Sequence, residues 1–284
     1  MIFYSPLRYP GGKNKLAKFL ALICEKNNIN GHYVEPYAGG ASVALYLLIN
    51  GYVKEVTIND YDRAIFAFWY TILHDTEKFC RKIKNTAVTV NNWRKFKTIY
   101  SNKKNSPLFD LGFATFFLNR TNRSGIIDGG ILGGIAQEGK YKIDCRFNKK
   151  DLIKRIKLIA SHKENIHLCN SDALELIKET QKNDVNPNTI FYFDPPYYLK
   201  GPSLYMNHYK YDDHKIVSEE IQKIQNARWI VSYDNVYKIK RLYTNIRKKA
   251  YSLTHTAYKV RKGKEVLFFS NNLCIPKVKS PVHI

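Results

Sequence analysis

The amino-acid sequence predicts an α/β fold, a doubly wound sheet with helices on both faces. Short β-rich runs separated by helical stretches recur along most of the chain, and 44% of its 284 residues are hydrophobic. This alternation is typical of a doubly wound sheet. Several of the apolar runs end in an acidic residue or a glycine-containing turn. In such sheets the ligand lies beyond the carboxyl ends of the strands, so these residues are candidates for a binding site.

The elements follow one another in a regular order. A strand over residues 32–35 leads through a glycine-containing turn into a helix over 42–49. A second strand over 55–58 ends in Asn59 and Asp60 and precedes an apolar helix over 63–73. Further strands are predicted at residues 166–169, 190–193, 229–232 and 266–269.

One region interrupts this order. Over residues 77–149 the alternation gives way to basic helical segments and then to a glycine-rich stretch, residues 124–134. We interpret 77–149 as an inserted, mostly helical smaller domain, with a helix over 149–162 returning to the sheet. Residues 1–76 and 150–284 then form the main domain.

The charge points to an anionic partner. There are 46 Lys and Arg against 24 Asp and Glu, a formal charge of +22. The basic residues run throughout and are densest in 78–104, 140–163 and 238–264, whereas a membrane-surface protein concentrates them in one helix or tail. This pattern favours nucleic acid, with aromatic rings available to bases, although solvated helix faces account for part of it. The interleaved aromatic residues are Trp93, Phe96, Tyr100, Tyr141 and Phe147.

Other classes of protein are disfavoured. The apolar runs are shorter than the roughly 18 to 20 residues that span a bilayer, and the first residues do not resemble a secretory signal. We therefore expect no membrane association and a cytoplasmic protein. The five cysteines lie at long, irregular intervals without a C-x-x-C pair, so we expect them to be reduced and structural, and we expect no bound metal.

The most informative segment is Asp194-Pro195-Pro196-Tyr197, which follows an apolar strand. Two prolines make a rigid turn without amide donors. The Asp194 carboxylate and the Pro195 carbonyl are two neighbouring acceptors beside the Tyr197 ring. This arrangement suits a planar group that bears an NH2, because acceptors for both hydrogens would expose the nitrogen lone pair for attack. An ordinary strand-ending turn is the competing interpretation.

Two further segments indicate a nucleoside site. Between the first strand and its helix, Glu35 and the pair Gly39-Gly40 form a tight turn that would let a ligand approach the backbone at a helix N-terminus. Asp60, about twenty residues on, could hold ribose hydroxyls. The chain opening contains Tyr9-Pro-Gly-Gly-Lys13, which lacks the first glycine and the Ser or Thr of a phosphate-binding P-loop. Its lysine and amides could lie near a carboxylate ligand, or the segment could simply cap a helix.

Taken together, these segments resemble the Dam-like, alpha-class DNA adenine-N6 methyltransferases. The resemblance covers most of the chain and includes the order of the parts: P-G-G-K, the E-P-Y-A-G-G turn, the acidic second strand, an insertion and D-P-P-Y. It implies a Rossmann-like, S-adenosylmethionine-dependent methyltransferase sheet with a target-recognition domain. It also implies double-stranded DNA as substrate, S-adenosylhomocysteine as product, no metal, and a restriction-modification or orphan role, with a cognate restriction endonuclease as a functional partner.

The resemblance also implies roles for individual residues. Tyr9 and Lys13 would contact the cofactor, and the turn with Glu35 and Gly39 would wrap its methionine part. Asp60 would hold the ribose, and Asp172, after the third strand, would lie near the cofactor adenine. The catalytic pocket would consist of Asp194, which also borders the cofactor, and of Pro195, Pro196 and Tyr197. An adenine flipped out of the duplex would stack on Tyr197.

A recognition segment is expected at residues 113–125, where Arg120, Asn122 and Arg123 are candidate DNA contacts. Members that read GATC carry an aromatic-Asn pair before the glycine and an arginine three positions after it. This chain has Arg123-Ser124 before Gly125, and Asp128 at the position of that arginine. Since an arginine on guanine is worth about 1 to 3 kcal/mol of discrimination, these differences argue against a GATC target.

Two other functions remain compatible with the motifs. D-P-P-Y turns could serve other exocyclic amines, which leaves an RNA base or cytosine N4 as the acceptor. A catalytically inactive, DNA-binding regulator is the alternative from another class, and the presence of Lys13, Asp60, Asp194 and Tyr197 argues against it.

Overall fold

The fold was analysed in a computed structural model that describes residues 3–9, 11–182, 186–199, 209–255 and 261–282. Within these residues, seven strands form one sheet. The strands are β1 His32–Glu35, β2 Glu55–Asn59, β3 Ile166–Cys169, β4 Thr189–Phe193, β5 Arg228–Asp234, β6 Arg247–His255 and β7 Arg261–Phe269.

The sheet has the order β3-β2-β1-β4-β5-β7-β6. Strands β1 to β5 pair in parallel, and β7 lies antiparallel between β5 and β6. The strand order reverses between β1 and β4, where a doubly wound sheet opens a crevice for ligands. The predicted α/β fold is therefore confirmed.

Helices cover the sheet and form the region that interrupts it. Hydrophobic clusters lie on either side of the sheet. The helices are α1 Ala17–Lys26, α2 Ser42–Ile49, α3 Arg63–His74, α4 Thr76–Asn85, α5 Val90–Ser101, α6 Leu108–Thr121, α7 Lys149–Ala160, α8 Ala173–Lys182, α9 Tyr211–Gln222 and α10 Tyr237–Leu242.

Strand β6 is absent from the elements predicted from the sequence. It begins with Arg247, Lys248 and Lys249 and forms an edge of the sheet. Charged residues on an edge strand protect it from pairing with other chains, and they also remove the apolar alternation by which a strand is found in a sequence. Strand β7 likewise starts at Arg261, five residues before the predicted run at 266.

Helices α4 to α6 of the predicted insertion share a hydrophobic core with α3. The rings of Phe68 on α3 and Phe116 on α6 stack with centroids 6.0 Å apart, and Phe79 on α4 meets Phe113 edge-on at 5.3 Å. The core thus continues from the sheet layer into residues 77–149. The division of the chain at 76/77 and 149/150 stays a prediction.

The aromatic residues of the basic segments lie mostly inside this core. Phe96, Tyr100 and Phe147 are buried, so the expectation that they offer rings to bases is wrong for these three. Phe96 and Phe147 pack against phenylalanine rings of α6, and Tyr100 is 5% exposed. Tyr141 is 55% exposed, with Lys140 and Arg146 near its ring.

Two absences hold for the described part of the chain. Its cysteines are all free thiols, with Cys24 and Cys80 buried and Cys145 and Cys274 exposed. Its helices include none that is long and apolar enough to cross a bilayer.

The α3–α6 contact predicts the effect of a small substitution. A methyl group at Gly112 would lie 2.7 Å from the Thr71 hydroxyl oxygen and still closer to the Ala67 carbonyl oxygen. Gly112→Ala should therefore destabilise the protein by about 1 to 3 kcal/mol through overpacking, measured by urea denaturation. Gly130→Ala is the matched control, because nothing lies within 4 Å of the added methyl. Equal stability of the two variants would contradict this packing.

Candidate active site

A cavity of about 240 Å³ lies at the crevice between the carboxyl ends of β1, β2 and β4. The structure brings all the residues that the resemblance assigns to the cofactor to this one cavity, together with Pro196. They are Tyr9, Lys13, Glu35, Gly39, Asp60, Asp172 and Asp194. Parallel strands with their acidic residues at the same edge explain this convergence.

Asp194 follows β4 and is held by two partners. Lys13 Nζ lies 2.7 Å from Oδ2 in an ion pair, and the Ser232 hydroxyl donates to Oδ1 at 2.5 Å. Lys13 is only 5% exposed, and its ammonium also donates to the Gly11 carbonyl at 2.8 Å. The carboxylate therefore has a defined orientation, while each oxygen keeps capacity for a further hydrogen bond.

Lys13 is charged in this environment. Burial lowers its pKa, but the neighbouring carboxylates of Asp194, Glu265 and Glu35 outweigh burial, and the pKa is raised overall. The ammonium lies 4.8 Å from the centroid of the Tyr197 ring, a distance suited to a cation–π contact. Tyr197 is 5% exposed and its hydroxyl has no hydrogen-bond partner among the described residues. Lys13 thus connects the cofactor cavity with the ring of the D-P-P-Y turn.

Ser232 and Asp234, both on β5, were missed by the sequence analysis. The Tyr192 hydroxyl donates to Ser232 Oγ at 3.0 Å, which extends the chain of hydrogen bonds to Asp194. Asp234 accepts from the backbone N–H groups of Tyr198 and Leu199 at 3.1 and 2.9 Å. Ser232 therefore orients the Asp194 carboxylate, and Asp234 holds the chain that follows it. Their position at the end of a strand was the available signal.

Glu35 is buried below the turn that follows β1. Its Oε1 accepts from the Tyr33 hydroxyl at 3.0 Å and from the Ala44 N–H, in the first turn of α2, at 3.2 Å. Burial raises the pKa of Glu35 to about 8, against the two hydrogen bonds that lower it. The carboxyl group thus anchors the start of α2 at the cavity.

The glycine pair of this turn accommodates a side chain of the protein itself. A methyl group at Gly39 would lie 2.5 Å from the Tyr9 ring, and one at Gly40 would lie 2.9 Å from Tyr9 Cβ. Gly39 also has a positive φ of 47°, which glycine adopts at little cost. The close approach expected for a ligand is made by Tyr9, whose ring covers the turn and borders the cavity.

Asp60 and Asp172 are held by backbone amides. Asp60 accepts from the N–H groups of Gly39 and Asp62 at 2.8 and 2.9 Å, and Asp172 accepts from the Leu174 N–H in the first turn of α8 at 2.8 Å. Burial raises the pKa of Asp60 to about 7, against the two amides that lower it. Both carboxylates keep acceptor positions towards the cavity.

The cavity is acidic although the protein is basic. Asp60, Asp172 and Asp194 line it together with the single ammonium of Lys13, and so does Glu35, whose pKa of about 8 leaves it mostly protonated at neutral pH. The three aspartates exceed the one ammonium in number, so a ligand with positive charge fits the cavity. In the described ranges, no group of three His, Cys, Asp or Glu side chains is arranged to hold a metal ion.

Arg120 and Arg123 differ in their surroundings. Arg123 is exposed. Arg120 is partly buried, and its Nε donates to the Arg146 carbonyl at 2.8 Å. Burial and then repulsion from Arg8 and Arg155 lower its pKa to about 10. The DNA contacts expected of these two residues stay predictions.

Asn122 is not available to DNA. It is 0% exposed, its Oδ1 accepts from Trp93 Nε1 at 2.6 Å, and its Nδ2 donates to the carbonyls of Ile126 and Ile127 at 3.0 and 2.7 Å. These bonds use its side-chain acceptor and both donors. The prediction that Asn122 contacts DNA is therefore corrected to a structural role inside the loop.

The fold and this cavity define a doubly wound α/β protein with a ligand site at the carboxyl edge of its sheet, and comparison with known proteins gives the family. The D12 class N6 adenine-specific DNA methyltransferase family matches residues 9–261, and the chain belongs to this family. It is thus an S-adenosylmethionine-dependent DNA adenine methyltransferase. The chain is similar to the Type II methyltransferase M.MjaIII of Methanocaldococcus jannaschii, with 24% identity over 221 residues, 72% of this chain and 73% of that protein.

Solved structures with a similar outline are distant. A Pyrococcus horikoshii protein described as a candidate RNA methyltransferase has a TM-score of 0.41 and 10% identity, covering 89% of this chain and 79% of that one. The precorrin-6y C5,15-methyltransferase of Geobacter metallireducens has a TM-score of 0.35 and 8% identity, covering 88% and 85%.

The buried Glu35 predicts a pH dependence of stability. Because its pKa in the folded protein, about 8, exceeds the ordinary 4.5, the folded state binds the proton more tightly than the unfolded chain. This contribution is complete below pH 4.5 and is lost as the pH rises through 8. At about 1.4 kcal/mol per pH unit, the free energy of unfolding should fall by about 2 kcal/mol between pH 6 and pH 8 from this group.

Glu35→Gln isolates that contribution, because glutamine keeps the acceptor for Tyr33 and Ala44. Urea denaturation at pH 6 and pH 8 should show the variant gaining stability relative to the wild type as the pH rises. Asp60 contributes a slope of the same sign in both proteins, so the difference between them reports Glu35. If the free energies of unfolding of the two proteins differed by the same amount at pH 6 and pH 8, the raised pKa of Glu35 would be contradicted.

Ser232 is expected to act as a positioning residue for Asp194. Ser232→Ala removes a hydrogen bond to a carboxylate, worth about 1.5 to 3 kcal/mol, so the single-turnover methylation rate should fall roughly tenfold to a hundredfold. Tyr192→Phe, which spares that bond, should have a smaller effect. Ser218→Ala is the control, because this buried hydroxyl bonds only within α9, to the Lys215 carbonyl. A wild-type rate in Ser232→Ala would refute the role.

Proposed function

We propose that the protein methylates N6 of an adenine that is flipped out of duplex DNA at a specific sequence. The observation that most supports this proposal is the orientation of the Asp194 carboxylate by Lys13 and Ser232 at the edge of an acidic cavity. The buried ring of Tyr197 follows three residues later. The D-P-P-Y turn would thus face both the cofactor and the incoming base.

The residues of the cavity suit S-adenosylmethionine. Asp60 and Asp172, held by amides, would accept from the ribose hydroxyls and the adenine amine. Glu35, the turn at Gly39 and the Tyr9 ring that covers this turn would border the methionine part, and Lys13 would lie beside it. The surplus of carboxylates complements the positive charge of a sulfonium. When bound, the cofactor would supply the electrophilic methyl group.

Asp194 and Pro195 would activate the base. The two oxygens of Asp194 each accept one hydrogen bond, so the carboxylate can also accept from the N6 amine, and the Pro195 carbonyl offers the second acceptor. Accepting both hydrogens would localise the nitrogen lone pair. On transfer of the methyl group the N–C bond would form as the S–C bond breaks, and the Asp194 carboxylate, which would already accept from the amine, would take up the proton that the nitrogen loses. Alignment of the two groups can supply about 7 to 11 kcal/mol.

Pro196 and Tyr197 would shape the base pocket. Pro196 borders the cavity, and the Tyr197 ring would stack on the adenine. Because Lys13 lies 4.8 Å from that ring, a stacked base would also meet the ammonium. Lys13 would then contact both substrates. Flipping an adenine costs a few kcal/mol, which such a pocket must supply.

Arg120 and Arg123 would contact the DNA. Burial, and then repulsion from the nearby Arg8, Arg155 and Arg146, lowers the pKa of Arg120. A phosphate in reach of such a group would relieve the repulsion and form charge-assisted hydrogen bonds. The exposed Arg123 lies on the turn before Gly125. Asp128, at the position where GATC-reading members carry an arginine, cannot donate to the acceptors of guanine, which supports a target other than GATC.

A restriction-modification role is the favoured setting, since the archaeal relative is a Type II methyltransferase. The functional partner would be a cognate restriction endonuclease, in the cytoplasm of a bacterium or archaeon or of a cell infected by a phage. An orphan enzyme is the other outcome. Expression in a host free of adenine methylation, followed by genome-wide mapping of modified adenines, would give the recognition sequence.

The reaction itself can be tested with labelled S-adenosylmethionine on duplex DNA, RNA and cytosine-containing DNA without adenine. We expect label in duplex DNA, on adenine N6. Asp194→Ala should lower the transfer rate by at least about 10³-fold, because the barrier loses its positioned acceptor, while DNA binding changes little. Asp212→Ala, at an exposed site on α9, is the control. Label confined to RNA, or an unchanged rate in Asp194→Ala, would refute the proposal.

A further inference from the structure

The predicted insertion supplies one side of the cofactor cavity. Tyr100, Ile126, Ile127 and Asp128 line the same cavity as Glu35 and Asp60, and we call these four residues the outer wall. The motifs of the cofactor site all lie outside residues 77–149, so nothing in them indicates this contribution. The insertion that is expected to read DNA thus also borders this cavity.

Asn122 holds part of the outer wall in place. Its amide nitrogen donates to the carbonyls of Ile126 and Ile127 at 3.0 and 2.7 Å. Its oxygen is itself fixed by Trp93 Nε1 at 2.6 Å. Because Asn122 is 0% exposed, these bonds are shielded from water, and the loss of one would leave a buried polar group unpaired at a cost of about 1 to 3 kcal/mol.

The turn between Asn122 and the outer wall has little freedom. Ser124 and Gly125 both have positive φ, 57° and 75°, and a side chain at Gly125 would collide with the Arg8 carbonyl oxygen and lie 2.9 Å from Arg8 Cβ. Asn119 Nδ2 donates to the carbonyls of Arg8 and Gly125 at 3.2 and 2.8 Å. The loop is therefore seated against the segment that leads into Tyr9.

Two ion pairs flank the outer wall. Lys97 pairs with Asp128 at 2.7 Å, and Lys103 pairs with Asp62 at 2.9 Å. Tyr100 lies between these acids, and burial followed by the charges of Asp62 and Asp128 raises its pKa. The helix α5, through Lys97, and the turn that follows it, through Lys103, thus join the loop of the insertion to the loop that carries Asp60.

We infer that Asn122, oriented by Trp93, is a positioning residue for cofactor binding. It holds Ile126 and Ile127 against the nucleoside side of the cavity, so the insertion contributes to the affinity for S-adenosylmethionine even without DNA. The inference rests on the proposed function. As a consequence, the turn formed by residues 122–128 has Arg123 exposed to solvent on one side. On its other side are the outer-wall residues Ile126 and Ile127, which face the cavity.

Isothermal titration of S-adenosylhomocysteine in the absence of DNA tests this role. Asn122→Asp keeps the acceptor for Trp93 and loses both donors to the loop, so its Kd should rise about tenfold, the effect of about 1.4 kcal/mol. Arg123→Ala, one residue away and exposed, should keep the wild-type Kd for S-adenosylhomocysteine. In turnover, Asn122→Asp should raise the KM for the cofactor and leave kcat unchanged.

The outcomes separate the inference from the proposed function. A wild-type protein that does not bind S-adenosylhomocysteine contradicts the proposed cofactor site. A folded Asn122→Asp with wild-type Kd overturns the inference alone. If that variant does not fold, Ile127→Ala decides, since it trims the outer wall directly and should raise the Kd about threefold to tenfold. An unchanged Kd in Ile127→Ala would then overturn the inference.

Discussion

The ion pair between Lys13 and Asp194 is the interaction on which the rest of the site depends. Both groups are largely withdrawn from water, and a buried charge without its partner costs about 3 to 5 kcal/mol. The two residues are 181 positions apart in the chain, so the pair fixes the opening segment across the carboxyl edge of the sheet. Tyr9 is thereby brought over the glycine turn and the cavity gains its second side.

The distribution of charge follows from the two ligands. The molecule has a formal charge of +22, yet its cavity is lined by carboxylates. DNA, a polyanion, requires a positive potential at the protein surface, whereas a positively charged cofactor requires a negative potential in the cavity. The acidic side chains are concentrated at the crevice, where Lys13 is the one lysine among the described residues that line the cavity, and their field acts over a short range.

Local patterns in the sequence predicted the strands that carry the motifs, and the motifs converge as expected because parallel strands end at one edge. Ser232 and Asn122 show where such reasoning stops. Ser232 contacts Asp194 only because β5 pairs with β4, and strand neighbours are not local information. Asn122, next to Arg123, has the composition of a DNA contact, and its burial depends on Trp93, 29 residues earlier.

The fit of Tyr9 on Gly39 has a consequence for comparison with other members of the family. Since a methyl group at Gly39 would lie 2.5 Å from the ring, a larger residue there requires a smaller one at position 9, or a displaced chain opening. The two positions should therefore covary among homologues. Such covariation would show that the glycine is needed to accommodate the Tyr9 ring. From the sequence alone, the same glycine suggests a close approach of the ligand to the backbone.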